Sequence, residues 1–113
     1  MSRITSHILD TTLGAPAAGV PVVLEHETEK GWKALGKGAT NSDGRINALL
    51  PDGAVLREGK YRLVFDTAAY FTAQKAQAFY PQIVIVFRVD DGDQHYHIPL
   101  LLSRFGYTTY RGS

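Results

Sequence analysis

The sequence predicts an all-β sandwich. Two observations carry that reading. Turn signals break the chain at short intervals: Leu13-Gly14-Ala15-Pro16, Glu29-Lys30-Gly31, Asn41-Ser42-Asp43-Gly44, Pro51-Asp52-Gly53 and Asp90-Asp91-Gly92-Asp93. The segments between them are short and rich in β-branched and aromatic residues, the pattern of sandwiches and barrels. A chain of 113 residues suits one compact domain over 1–113 and is too short for two. At that size roughly two-thirds of the unfolded-chain surface is buried, so neither metal nor disulfide is needed to fold.

Strands are expected near 4–10, 20–27, 32–40, 45–49, 60–65, 82–89, 95–103 and 106–111, eight in all. In the first, Ile4 and Ile8 oppose His7. The second and third flank the turn at Glu29-Lys30-Gly31, and the fourth follows Asp43-Gly44. The fifth alternates most clearly, with Tyr61, Leu63 and Phe65 against Arg62 and Val64. The alanine-rich run 66–74 reads as one short helix, capped by Asp66 or Thr67 and ended well before Pro81. In the sixth strand, Ile83-Val84-Ile85-Val86-Phe87 is apolar on both faces. Such a strand is either central between two layers or covered by a partner subunit. In the seventh, Tyr96, Ile98, Leu100 and Leu102 form a core face, so His95, His97, Pro99 and Leu101 point outward. Histidine and leucine sharing an outward face imply a covered, partly polar site, most simply covered by a second copy of the chain.

Composition excludes several classes of function. Twelve basic and 11 acidic side chains leave a formal net charge of +1, so no long-range field draws the chain to nucleic acid or a membrane surface. The absence of cysteine removes thiol nucleophiles, zinc-thiolate sites and a disulfide framework. No apolar run is long enough to span a bilayer. The start, Met1-Ser2-Arg3-Ile4, lacks the apolar core of a signal peptide, so a cytoplasmic location is the expectation, with a processed periplasmic form as the alternative.

Four histidines offer proton transfer near neutral pH: His7, His26, His95 and His97. On pattern alone His7 is a strand histidine, and His26 and His95 are ordinary surface positions. Arg45, after a tight turn, is either a solvated arginine or a guanidinium gripping a planar polar ligand. The tail Tyr110-Arg111-Gly112-Ser113 continues an expected strand. A docked tail would bring the Ser113 hydroxyl and the terminal carboxylate into a site. His95-x-His97 puts two rings on one strand face, but nearby acidic or further histidine partners are lacking, so no metal or cofactor is expected. There is no phosphate-binding glycine loop and no Gly-x-Ser-x-Gly elbow. A hydrolase built from these residues would use water as its nucleophile.

The segments Ser6-His7-Ile8-Leu9-Asp10-Thr11, Gly14-Ala15-Pro16-Ala17, Thr40-Asn41-Ser42-Asp43-Gly44-Arg45, Phe79-Tyr80-Pro81, His95-Tyr96-His97-Ile98-Pro99-Leu100-Leu101-Leu102-Ser103 and Tyr107-Thr108-Thr109-Tyr110-Arg111-Gly112-Ser113 resemble those of the 5-hydroxyisourate hydrolases, the transthyretin-like proteins of purine degradation. The resemblance covers nearly the whole chain in order. The terminal Tyr-Arg-Gly-Ser is its most specific part, because the hormone-carrying transthyretins lack this tail, the histidine pair and the arginine. One departure is Arg104 after Ser103, where the family often has proline; it lies in an expected turn.

That resemblance implies a transthyretin-like sandwich of two four-stranded sheets with one short helix. It also implies a homotetramer, a dimer of dimers with active sites in the channel between them. The implied catalytic residues are His7, Arg45, His97 and Ser113, and the implied substrate contacts are His7, Arg45 and Tyr110. The implied reaction opens the six-membered ring of 5-hydroxyisourate to give 2-oxo-4-hydroxy-4-carboxy-5-ureidoimidazoline. His7 or His97 would be the base, with Arg45 stabilising the oxyanion. The competing readings are a small-ligand carrier using the same channel and a monomeric interaction domain.

Overall fold

The computed structural model describes residues 3–51 and 53–113. Among them nine strands and one helix are laid out as β1 (Ile4–Asp10), β2 (Ala15–Pro16), β3 (Pro21–Thr28), β4 (Gly31–Ala39), β5 (Arg45–Ile46), β6 (Gly59–Phe65), α1 (Thr67–Ala73), β7 (Ile83–Val89), β8 (Tyr96–Leu102) and β9 (Tyr107–Thr109). One sheet runs β2-β1-β8-β9, with β5 beside β2 on the free edge of β1; the other runs β4-β3-β6-β7.

The alternation of β6 is realised: Tyr61, Leu63 and Phe65 are buried against the opposite sheet while Arg62 and Val64 are only half-buried. From the first sheet, Ile4, Ile8, Ile98, Leu100 and Leu102 close the core. Asp66 caps α1, its carboxylate accepting from the Ala69 amide at 3.0 Å. The helix is tied to the first sheet at one buried point. Tyr70 donates to the Asp10 carboxylate at 2.7 Å, and the other carboxylate oxygen accepts from the Thr12 and Leu13 amides. Burial, then this bond to Asp10, pushes the Tyr70 hydroxyl up to about 12.

Two expectations are corrected and a third is narrowed. Ala15–Pro16 pairs with Leu9 and Asp10 as an extra strand, so the first sheet has five strands, not four. Two residues ending in proline carry no readable period. The strand expected over 45–49 stops at Ile46, beyond which the chain turns to bury Leu49 in the core. Of the two readings open for the apolar run in β7, a central strand is excluded, since β7 lies at the sheet edge, and cover by a partner subunit remains. Its apolar outer face leaves Val86 53% exposed, so no second layer of this chain covers that face.

Candidate active site

The site is built on the outward face of β1 and β8. These strands pair in parallel, which sets Thr5 beside His97 and His7 beside Pro99. Ile4, Ser6, Ile8 and Asp10 point into the core, so Thr5, His7 and Leu9 share the outward face with His97, Pro99 and Leu101. The register is pinned from inside, where the buried Ser6 hydroxyl donates to the Ile98 carbonyl at 2.7 Å.

Arg45 enters from β5. Its backbone is set by an Asn41 turn: the Asn41 side-chain oxygen accepts from the amides of Asp43 at 2.9 Å and Arg45 at 3.0 Å. Gly44 lies between them at φ 73°, and its carbonyl accepts from the Ile8 amide at 2.7 Å. A Cβ there would sit 2.4 Å from the Ile8 carbonyl oxygen, so only glycine brings β5 this close to β1. The pairing places Arg45 directly opposite His7. Such cross-strand neighbours have Cβ atoms about 5 Å apart on one face.

The tail is docked. The Gly112 amide donates to the His97 carbonyl at 2.9 Å, and Thr109 donates its hydroxyl to the Pro99 carbonyl at 2.7 Å. Arg111 lies over the Tyr96 ring, 4.7 Å from its centre, and bonds Gln94. Gly112 packs against the imidazole itself: a Cβ would lie 2.6 Å from His97 Cδ2 and 3.2 Å from Pro99 Cγ. Gly112→Ala therefore has to displace either the ring or the tail. A ring that acts in catalysis would then lose about tenfold in turnover with little change in melting temperature, because misplacement costs rate before it costs stability. Steady-state kinetics beside a thermal melt checks this, and an unchanged turnover number would mean that the ring has room to spare.

These elements enclose a cleft of about 230 Å³ lined by Thr5, Ser6, Arg45, Ile46, Asn47, His95, His97 and Ser113. Arg45, His97 and Ser113, all singled out from sequence, are thus brought together. His7 does not line the cleft and stands beside it, opposite Arg45. Tyr110 also lies outside, in an adjoining cavity shared with His97, Ile98, Thr109 and Arg111. His26 is on the other sheet, stacked on Tyr61 with ring centres 4.6 Å apart.

Sequence reading missed Thr5, Asn47 and His95. Thr5 Oγ1 lies 2.8 Å from His97 Nδ1 and 3.0 Å from His95 Nε2. His95 is exposed, yet it is fixed in the cleft wall. The signal for it was the i, i+2 spacing of His95 and His97 on one strand face; for Thr5 it was the same spacing to His7. Among the described residues no three His, Asp or Glu side chains cluster as a metal site would require.

The electrostatics favour a neutral imidazole at His97. Burial comes first, then the positive charge of Arg45, then His95 and His7, and together they hold its pKa below the ordinary histidine value of 6.5. A neutral ring bonded at Nδ1 leaves Nε2 to serve as base or donor. Arg45 lines the same cleft, and the five N–H donors of a guanidinium suit a planar carbonyl-rich molecule.

Residues 4–112 match the family described as HIUase/Transthyretin. The 5-hydroxyisourate hydrolase of Salmonella typhimurium is 48% identical over 110 residues, covering 97% of this chain and 80% of that one. The structure of Klebsiella pneumoniae 5-hydroxyisourate hydrolase superposes with a TM-score of 0.86 at 35% identity, covering all of both chains. Sea bream transthyretin in complex with thyroxine superposes with a TM-score of 0.89 at 35% identity, covering 97% of this chain and 94% of that one.

Proposed function

The chain belongs to the HIUase/Transthyretin family, and from that premise we propose that it hydrolyses 5-hydroxyisourate by direct attack of water. The fold alone does not separate hydrolase from carrier, since both superpose equally well. The observation that carries the choice is the cleft in which Arg45, a His97 held neutral, and Ser113 converge. A carrier of apolar aromatic ligands has no use for a guanidinium and a base in one cleft.

In this reading Arg45 grips the carbonyl that water attacks and stabilises the oxyanion as it forms. His97 Nε2 removes the proton from water as the new C–O bond forms, and afterwards returns a proton to the departing ring nitrogen. His7, beside Arg45 on the same face, adds a second polar contact for the substrate at the cleft margin. Ser113 borders the substrate from the tail, and Tyr110 reaches it from the adjoining cavity. None of these steps asks for a metal or an organic cofactor. The product is the ring-opened ureidoimidazoline acid.

We also infer a homotetramer, a dimer of dimers whose interface covers the outward face of β1 and β8. Support comes from Leu9 and Leu101 beside His97 on that face, and from Val86 exposed on the β7 edge. No helix among the described residues is long and apolar enough to cross a membrane.

The deciding experiment follows the ultraviolet decay of freshly generated 5-hydroxyisourate. Acceleration well above the buffer rate, saturating with substrate, is the expected result. Decay at the buffer rate by a correctly folded protein, with binding of thyroxine in its place, would make the carrier reading the better one.

A further inference from the structure

Thr5 is a position to which neither composition nor motif assigns a role, yet its hydroxyl bonds both cleft histidines. It is 7% exposed and belongs to the outward face of β1, where its methyl and hydroxyl are held by the parallel register with His97. Its Oγ1 stands 2.8 Å from His97 Nδ1 and 3.0 Å from His95 Nε2. A hydroxyl owns one proton to donate and two lone pairs to accept with. Between two imidazole nitrogens it can donate to one ring only, and the other ring must then donate to it. The two rings are therefore locked into opposite tautomeric demands.

One arrangement fits a base. If Thr5 donates to His95 Nε2, it accepts from His97 Nδ1–H, and His97 Nε2 is left with its lone pair toward the cleft. In the reverse arrangement Thr5 donates to His97 Nδ1, so His97 carries its proton on Nε2 and becomes a donor. Rotation of one hydroxyl, with the protons it shares, thus exchanges the base and acid forms of His97.

We propose that Thr5 is a positioning residue that sets the tautomer of His97 and relays a proton between His97 and His95 during hydrolysis. The inference rests on the hydrolase reading above. When water attacks, its O–H bond breaks, the oxygen bonds to the carbonyl carbon and the proton bonds to His97 Nε2. The His97 Nδ1–H proton passes to Thr5 Oγ1, and the Thr5 proton passes to His95 Nε2. His97 stays neutral and Thr5 is unchanged, while His95 holds the positive charge. When the C–N bond breaks, the nitrogen takes the proton from His97 Nε2. Thr5 then returns its proton to His97 Nδ1 and recovers one from His95 Nε2, which restores the starting state. Every atom and charge balances, and no co-reactant is required.

The surroundings suit the two rings to these tasks. His97 is half-buried and faces Arg45 and His7, so a lasting positive charge there is disfavoured. His95 is exposed and also lines a second, larger cavity of about 720 Å³ with Arg3, Asp93 and Leu56, where water can solvate an imidazolium. The charge is thereby parked at the wet end of the relay and kept off the ring next to the guanidinium.

The test compares Thr5→Val, Thr5→Ser and His95→Ala with wild type, with two readouts. Valine keeps the shape and removes the hydroxyl, and serine keeps the hydroxyl. Thr5→Val is expected to lower kcat by about tenfold or more while KM moves less than about twofold, and serine restores most of the loss. His95→Ala follows valine in direction. Independently of turnover, nitrogen-15 spectra of labelled histidine show His97 protonated at Nδ1 in wild type and in Thr5→Ser, and shifted toward Nε2 protonation in Thr5→Val. An active wild type with an unaffected valine variant, or an unchanged His97 tautomer in that variant, overturns the relay and leaves the hydrolase standing. A wild type that leaves 5-hydroxyisourate at its buffer decay rate overturns the hydrolase reading and the relay with it.

Discussion

His97→Ala is expected to lower kcat/KM for 5-hydroxyisourate by about 10²–10⁴-fold while leaving size and fold unchanged. The loss is large because this ring alone combines a committed Nδ1, a place in the cleft and a pKa held below 6.5 by burial and by Arg45. The fold should survive because β8 packs through Tyr96, Ile98, Leu100 and Leu102, all on the opposite face. The same ring sets the pH dependence. A base whose conjugate acid is disfavoured needs stronger acid to protonate it, so the wild-type kcat/KM should fall on the acid side with a midpoint below 6.5. The residual rate of His97→Ala should lack that limb. Kinetics across pH 4–8 beside sedimentation checks both parts, the range being chosen to bracket roughly two units around an ordinary histidine. A variant that changes size or melts early as it loses activity would make His97 a structural residue.

Much of this was legible in the chain before any coordinates. The alternation of Tyr61, Leu63 and Phe65, a helix cap at Asp66 or Thr67 and the outward set of His97 and Leu101 follow from local periods of two and from capping chemistry. Residue roles came from the resemblance, above all from the Tyr-Arg-Gly-Ser tail. What stayed hidden depends on contacts between distant segments. Thr5 and His97 are 92 residues apart, and only the parallel register of β1 on β8 makes them neighbours. Sliding that register by one residue would turn Thr5 into the core, so no local pattern can reveal the pair. The same limit hid the edge position of β7: an apolar run declares burial of its faces but not which strand lies next to it. It hid β2 as well, since two residues have no period to read.

The second large effect is expected at Arg45. Arg45→Ala should reduce kcat by about 10²–10³-fold, the usual consequence of removing a donor aimed at a developing oxyanion. The backbone at this point is held by the Asn41 side chain and by the Gly44 carbonyl, neither of which involves the guanidinium, so β5 should keep its place beside β1. Arg45 is exposed and contributes no core packing, which again favours a stable variant. A second consequence separates catalysis from mere binding. Arg45 is among the charges that hold His97 low, so its removal makes the imidazolium less costly and raises the pKa of His97 toward 6.5. The acid limb of kcat/KM should move to higher pH even as the plateau falls. Arg45→Lys keeps the charge but offers one ammonium in place of a planar fork. It should hold the limb near its wild-type position and recover only part of the rate. Full pH profiles of the three proteins decide the matter. If the limb stays fixed in Arg45→Ala and the rate drops only a few-fold, the guanidinium is a solvated neighbour, and oxyanion stabilisation must come from the tail or from His7.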